Sequence, residues 1–321
     1  MSGNVPADPE TLARVYRSLR LIRRTEEEIA RIYPSDKIKS PVHLSIGQES
    51  VSVGVCDILD ASDVISATYR GHAAYLAKGG DLKQMMAELY GKGTGCAAGK
   101  AGSMHLIDMD ANVLGMSAVV GTTIPVAAGY AFALKREGKG RIAASFFGDG
   151  ATEEGVFYET LNFASLHKLP ILFVCENNGF AIHSPIANRW ATEALCERVR
   201  TFGIETQELA DDDVFAIREA AGQAAQAIRG GEGPQFIECK TYRWLEHVGP
   251  GEDYDDGYRT RDELDAWQAR DQVAATGAML DDAERQVIDD EVESLIAEAV
   301  DFAEQSPWPE PEELYSHVLA D

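Results

Sequence analysis

Two apolar runs with one amphipathic stretch between them constrain this chain more than anything else in it. Residues 141–147 and 170–175 are apolar nearly throughout, and 153–167 has the length and pattern of a helix. A run without polar alternation is what a central strand looks like when helices cover both of its faces. Two such strands joined by a helix make a βαβ unit with parallel strands and a right-handed crossover. The segment predicts an α/β architecture with a largely parallel central sheet, helices on both faces and additional helical arms.

The first run ends in Gly148-Asp149-Gly150, and the second leads into Asn177-Asn178-Gly179. A carboxylate and a carboxamide at neighbouring strand ends can hold one divalent ion through oxygen, and that ion can hold a diphosphate. Magnesium prefers an octahedral shell of hard oxygens. Asp149 would supply charge, Asn178 a neutral oxygen and a backbone carbonyl just beyond it the third protein ligand. Gly148 and Gly150 would let the turn approach the ligand with no Cβ in the way. Singly, Asp-Gly and Asn-Gly are ordinary turn pairs; it is their joint placement that makes a site.

Composition narrows the partners. The 53 acidic and 29 basic residues give a formal charge of −24 over 321 residues. That excludes a general nucleic-acid or anionic-membrane surface. Five scattered cysteines without a CxxC pair give a zinc cluster little support. Their odd number, with no secretory leader apparent, predicts a cytoplasmic protein. No apolar run approaches the length needed to cross a bilayer.

Along the chain, residues 1–10 read as a flexible arm and 11–321 as a single domain with N- and C-terminal helical extensions. A helical period runs from Thr11 to about Ile32, and a loop from Pro41 enters a helix that continues to Leu59. A strand is predicted over Asp63–Tyr69, a helix over Leu82–Leu89 and a small-residue helix over Pro125–Leu134. Residues 91–105 are too glycine-rich for a regular element and read as an ordered, functional loop. Later come helices near 191–202 and Val214–Arg229, the strand Gln235–Lys240, a mobile loop over His247–Gly257, and helices from about Arg261 and Asp281. There is no internal repeat.

With these motifs in view, the chain resembles the alpha subunit of the thiamine-diphosphate-dependent E1 component of 2-oxo acid dehydrogenase complexes. That family includes the pyruvate, branched-chain 2-oxo acid and acetoin enzymes in their two-chain form. The likeness is carried by the text from Gly148 to Gly155, by Lys168-Leu169-Pro170 and by Cys175 to Ile182, and it extends from about Val15 to Ala266. It implies a thiamine-diphosphate-binding fold in which Asp149, Asn178 and the carbonyl of Phe180 carry Mg2+. It assigns Tyr69, Arg70 and Arg243 to the diphosphate, with Gly148, Gly150 and Ala151 in the turn beneath. Backbone groups of Ala118 and Val120 would meet the aminopyrimidine. His43 and His247 would handle protons, and His72 joins them as a third catalytic candidate that orders loops or lines the entrance. The bland alternatives are surface ion pairs for the arginines, core filling for Val119 and Val120, and structural roles for the histidines.

The resemblance further implies oxidative decarboxylation of a 2-oxo acid, or acetoin cleavage, with acyl transfer to a lipoyl group. A carboligase or ketol-transfer enzyme without a lipoyl partner is the alternative, and a non-catalytic assembly subunit a third reading. The family places the glutamate that activates the aminopyrimidine on a beta subunit. The expected assembly is therefore a heterotetramer of two alpha and two beta chains, with a lipoyl acyltransferase as a further partner. The first helix and the helix from Pro125 are candidate interface elements, and Glu49 gains no catalytic role merely because a glutamate is needed. The chain departs from the family at Glu246, which replaces the usual glycine before the distal histidine, and in the acidic loop with Glu252, Asp253, Asp255 and Asp256. If those side chains faced inward they would suit a hydroxyl-rich or cationic substrate; otherwise they face water.

Overall fold

The computed structural model describes residues 8–316. Residues 1–7 of the expected arm lie outside the described residues. Asp8 accepts a hydrogen bond from Thr11 N at 2.7 Å and caps the first helix, and Pro9 opens it. In chain order the helices are α1 (Pro9–Ile32), α2 (Glu49–Cys56), α3 (His72–Ala77), α4 (Leu82–Leu89), α5 (Thr123–Glu137) and α6 (Gly155–Leu166). They continue with α7 (Leu195–Arg200), α8 (Val214–Arg229), α9 (Arg261–Gln268), α10 (Gln272–Gly277) and α11 (Asp282–Gln305). The strands are β1 (Val64–Thr68), β2 (Val113–Ser117), β3 (Ala143–Gly148), β4 (Ile171–Asn177), β5 (Phe180–Ala181), β6 (Ser184–Pro185), β7 (Glu205–Leu209) and β8 (Gln235–Lys240).

Six strands form one parallel sheet in the order β2-β1-β3-β4-β8-β7, and β5 and β6 form a small antiparallel hairpin. The two apolar runs are its central strands, as their composition predicts. Alternate residues feed two separate cores. Ala144, Phe146, Leu172 and Val174 pack on one face with α1, α2, α4 and α8. Ala143, Phe147, Ile171 and Phe173 pack on the other with α5, α6 and α7. A two-residue period buried on both sides is why these strands read as unbroken apolar text.

Four strands escape the sequence pattern: the two short ones of the hairpin and two at the edges of the main sheet. β2 carries Gly115 at φ +142 in its middle and pairs with β1 across a register shift, and a glycine there weakens any strand signal. β7 is a polar edge strand with Glu205 and Glu208 exposed. The crossover helix starts at Gly155 rather than Glu153, because Asp149–Glu153 form a 3-10 turn closed by Thr152 Oγ1 donating to Asp149 O at 2.7 Å.

The acidic surplus has a local address. α11 lies along α1, with Arg20 Nε 3.0 Å from Asp289, Arg24 Nε 2.6 Å from Glu293, and Tyr16 donating to Asp289 at 2.8 Å. Exposed pairs of this kind contribute roughly 0–1 kcal/mol each, so apolar packing holds the helices and charge sets their register. Glu49 is structural: it takes two hydrogen bonds from buried Arg23, at 2.5 and 3.2 Å, and ties α2 to α1. Among the described residues no helix is long and apolar enough to cross a membrane.

α2 and α8 touch at Gly54, where an added Cβ would lie 2.7 Å from Ile217 Cγ2 and 2.9 Å from Val214 O. Gly54→Ala gains about 1 kcal/mol of helix propensity but meets overpacking of about 1–3 kcal/mol. The expected net result is a lower melting temperature in calorimetry; a rise would show that the helices separate freely.

Candidate active site

Parallel strands place all their C-terminal ends on one edge of the sheet. β1 there delivers Tyr69-Arg70, β3 delivers Gly148-Asp149-Gly150-Ala151, and β4 delivers Asn177-Asn178. From β1 the chain steps outward to β2, then returns past β1 to β3. The strand order therefore reverses between β1 and β3, which is where open α/β sheets form a ligand crevice. A cavity of about 200 Å3 occupies that position. Tyr69, Arg70, Val120 and His247 line it together with Gly148, Asp149, Gly150, Ala151, Asn178 and Phe180.

Asp149 is 1% exposed, and its Oδ1 has no hydrogen-bond partner among the described residues. Burial pushes its carboxyl pKa up, opposed by Arg189 on Oδ2. Asn178 is fixed by Nδ2 donating to Gln48 Oε1 at 3.0 Å, while its Oδ1 accepts from Phe180 N at 3.1 Å. Beneath it, Asn177 donates to Glu238 at 2.6 Å and accepts from Gly179 N at 3.0 Å, which shapes the turn. An orphaned carboxylate oxygen, an oriented carboxamide and a backbone carbonyl are hard oxygen donors, and they fit a magnesium ion. Cys196, Glu208 and Glu238 also converge within 4.8 Å, but Lys240 and Asn177 already bind Glu238 at 2.6 Å each.

His43 lies just behind the wall. Its ring centroid is 4.4 Å from Tyr69 and 5.1 Å from His247, and Tyr69 and His247 are 5.6 Å apart. Burial, reinforced by Arg70, holds both imidazoles down at about 3. At neutral pH both rings are therefore uncharged, each with one N–H and one unprotonated ring nitrogen. His43 Nδ1 is buried without a partner among the described residues. Arg70 organises the pair by donating to Leu44 O at 2.6 Å and His247 O at 3.0 Å. Burial lowers its pKa to about 10, so it stays cationic.

Three expected residues sit elsewhere. His72 is fully buried, with Nδ1 3.2 Å from Glu26 and Nε2 2.7 Å from Ser103 Oγ. It joins α1 to the glycine-rich loop, and Glu26 also accepts from Ser45 N at 3.0 Å. That loop wraps a second buried carboxylate, Glu88, which accepts from the backbone N–H groups of Ala97, Gly99, Ala101 and Gly102. Arg243 is 1% exposed and off the cavity wall: it donates to Asp253 at 2.9 Å, to Leu245 O at 2.7 Å and to Ile182 O at 3.2 Å. Ala118 is off the wall too, although its neighbour Val120 is on it.

The acidic loop forms no inward gate, since none of its four acids lines the cavity. Asp253 is buried between Arg243 and Arg259, Glu252 pairs with Arg261 at 2.5 Å, and Asp255 and Asp256 are exposed. Glu246 Oε1 accepts from Gly251 N at 2.8 Å and closes its own turn. Sequence reading missed Gln48, Glu176 and Ile182 on the wall, and Arg189 behind it. Glu176 was open to inference, because it immediately precedes the Asn pair on a strand end. Arg189 carried no local signal.

Burial raises the Glu176 carboxyl to about 7, against the pull of Arg70. Between its unfolded value near 4.5 and about 7, the folded chain holds a proton that the unfolded chain releases. Stability therefore falls as pH rises through that window and levels out above it. Glu176→Gln should remove that fall, with a gain that grows from pH 4.5 to 7 and reaches about 3 kcal/mol at most. Denaturant melts of both proteins at pH 5 and 8 measure it; an equal difference at the two pH values would contradict the assignment.

Comparison with known proteins agrees with this geometry. The sequence model of the family described as dehydrogenase E1 component matches residues 17–312. The chain is 38% identical to the alpha subunit of acetoin:2,6-dichlorophenolindophenol oxidoreductase from Cupriavidus necator, over 99% of this chain and 96% of the relative. It is also 38% identical to the pyruvate dehydrogenase E1 component subunit alpha of Zymomonas mobilis, over 99% and 91%. A second acetoin:2,6-dichlorophenolindophenol oxidoreductase alpha subunit, from Bacillus subtilis, is 36% identical over 95% and 92%.

Proposed function

We propose that this chain, which belongs to the dehydrogenase E1 component family as an alpha subunit, binds thiamine diphosphate through Mg2+ and serves oxidative decarboxylation of a 2-oxo acid or cleavage of acetoin. The acyl group passes to a lipoyl arm of an acyltransferase partner. The observation that carries the reading is the buried Asp149 Oδ1, without a partner among the described residues, on a residue that lines the crevice at the strand reversal. Asp149, Asn178 and the Phe180 carbonyl would hold the ion, and Tyr69 and Arg70 would meet the diphosphate. Val120, with the backbone beside Ala118, would face the aminopyrimidine.

When bound, the cofactor supplies the carbon nucleophile and the electron sink. The chain supplies geometry and proton traffic. His43 and His247, neutral and 5.1 Å apart, take up and return protons at the substrate oxygen. Arg70 fixes both segments that carry them. Arg243 and His72 support the site from outside the cavity, Arg243 by anchoring the loop after β8 and His72 by ordering the glycine-rich loop. The subunit names of the relatives support a beta chain that completes the crevice.

The test is to pair the chain with a beta subunit, add Mg2+ and thiamine diphosphate, and screen pyruvate, branched-chain 2-oxo acids and acetoin against an artificial electron acceptor. Asp149→Ala should abolish Mg2+-dependent cofactor uptake in calorimetry. His43→Ala should keep uptake and lower kcat by roughly 10²–10⁴-fold. No magnesium-dependent uptake by the paired wild-type complex would reject the reading, and turnover needing neither acceptor nor lipoyl protein would mark a carboligase instead.

A further inference from the structure

The cation that faces Asp149 in this fold comes from the chain itself. The hairpin β5–β6 runs into a 3-10 turn, Ile186–Asn188, which is pinned back by Ile186 N donating to Gly179 O at 2.8 Å. Arg189 follows the turn. Its Nε donates to Ser184 O at 3.0 Å, one terminal nitrogen pairs with Asp149 Oδ2, and the other pairs with Glu153. The side chain of Asp149 is 1% exposed, that of Arg189 8% and that of Glu153 39%. One guanidinium thus bridges a dry carboxylate and a wetter one.

A carboxylate this dry is costly without a cation, and Arg189 meets that need in the metal-free chain. The same pairing opposes a lone metal. A divalent ion on Oδ1 would sit beside a guanidinium on the other oxygen of the same carboxylate, and like charges a few ångströms apart repel strongly there. A diphosphate arriving with the ion brings the negative charge that removes the conflict. Glu153 gives the guanidinium somewhere to go, and that carboxylate is itself held by Trp190 Nε1 at 3.1 Å, with Arg198 stacked on Trp190 at 3.9 Å.

We propose that Arg189 is a placeholder cation: it balances Asp149 in the metal-free chain and withdraws onto Glu153 when Mg2+ and diphosphate arrive together. The proposal rests on reading Asp149 as a metal ligand. It couples metal and diphosphate uptake, because Mg2+ alone binds against the guanidinium and so binds more weakly than it does with diphosphate present.

The experiment uses the full chain paired with a beta subunit, stripped with EDTA and titrated with MgCl2 alone in a calorimeter. Arg189→Gln should bind Mg2+ at least about tenfold tighter than wild type and melt at a lower temperature without metal. Glu153→Gln should bind Mg2+ more weakly than wild type, since Arg189 is then left with Asp149 alone. Equal or weaker Mg2+ binding by Arg189→Gln overturns the placeholder. Should that variant fail to fold, unchanged or tighter binding by Glu153→Gln overturns it. Asp149→Asn separates the two readings: its loss of Mg2+ uptake keeps the metal site whatever Arg189 does, and wild-type uptake by that variant removes both.

Discussion

A carboxylate taken almost wholly out of water must have a positive partner, and Asp149 is that carboxylate here. It stands at the end of a strand buried on both faces, so nothing in the sheet can relieve it. The residues next to it answer this charge. The glycines on either side bring the backbone close, the Asn178 turn contributes neutral oxygen, and Arg189 covers one of the two carboxylate oxygens. Had β3 been an edge strand, water would have done the same work and left no site.

The opposite chemistry stands on the same crevice. Arg70 is buried behind Tyr69 and spends its donors on two carbonyls. A fixed positive charge beside two desolvated imidazoles disfavours their protonated forms. The Arg70 charge adds to burial, the larger cause, in keeping the neighbouring histidines neutral.

What was legible in the sequence was whatever depended on neighbours in the chain. α8 and β8 were readable to the residue because their apolar periods are complete, and Asp149 and Asn178 because each directly follows a recognisable strand. β2 was hidden by Gly115 and β7 by its glutamates. Pairings across long stretches were hidden for a different reason. Nothing near Arg189 announces a partner forty positions earlier, and nothing near Arg243 shows that Asp253 will take its guanidinium away from the cavity. The acidic loop misled in the same way, since its four acids look alike in sequence while only Asp253 is buried.

The loop after β8 therefore has a stapled base and a bare tip. Asp253 on one side of the tip is bound to Arg259 on the other and to Arg243 beneath, whereas Asp255, Asp256 and Gly257 between them are open to water. A protease that nicks the backbone at the tip would meet no resistance there, yet both new ends would stay fastened by buried charge. Such a clipped molecule would keep its crevice intact, and damage at this spot would be silent.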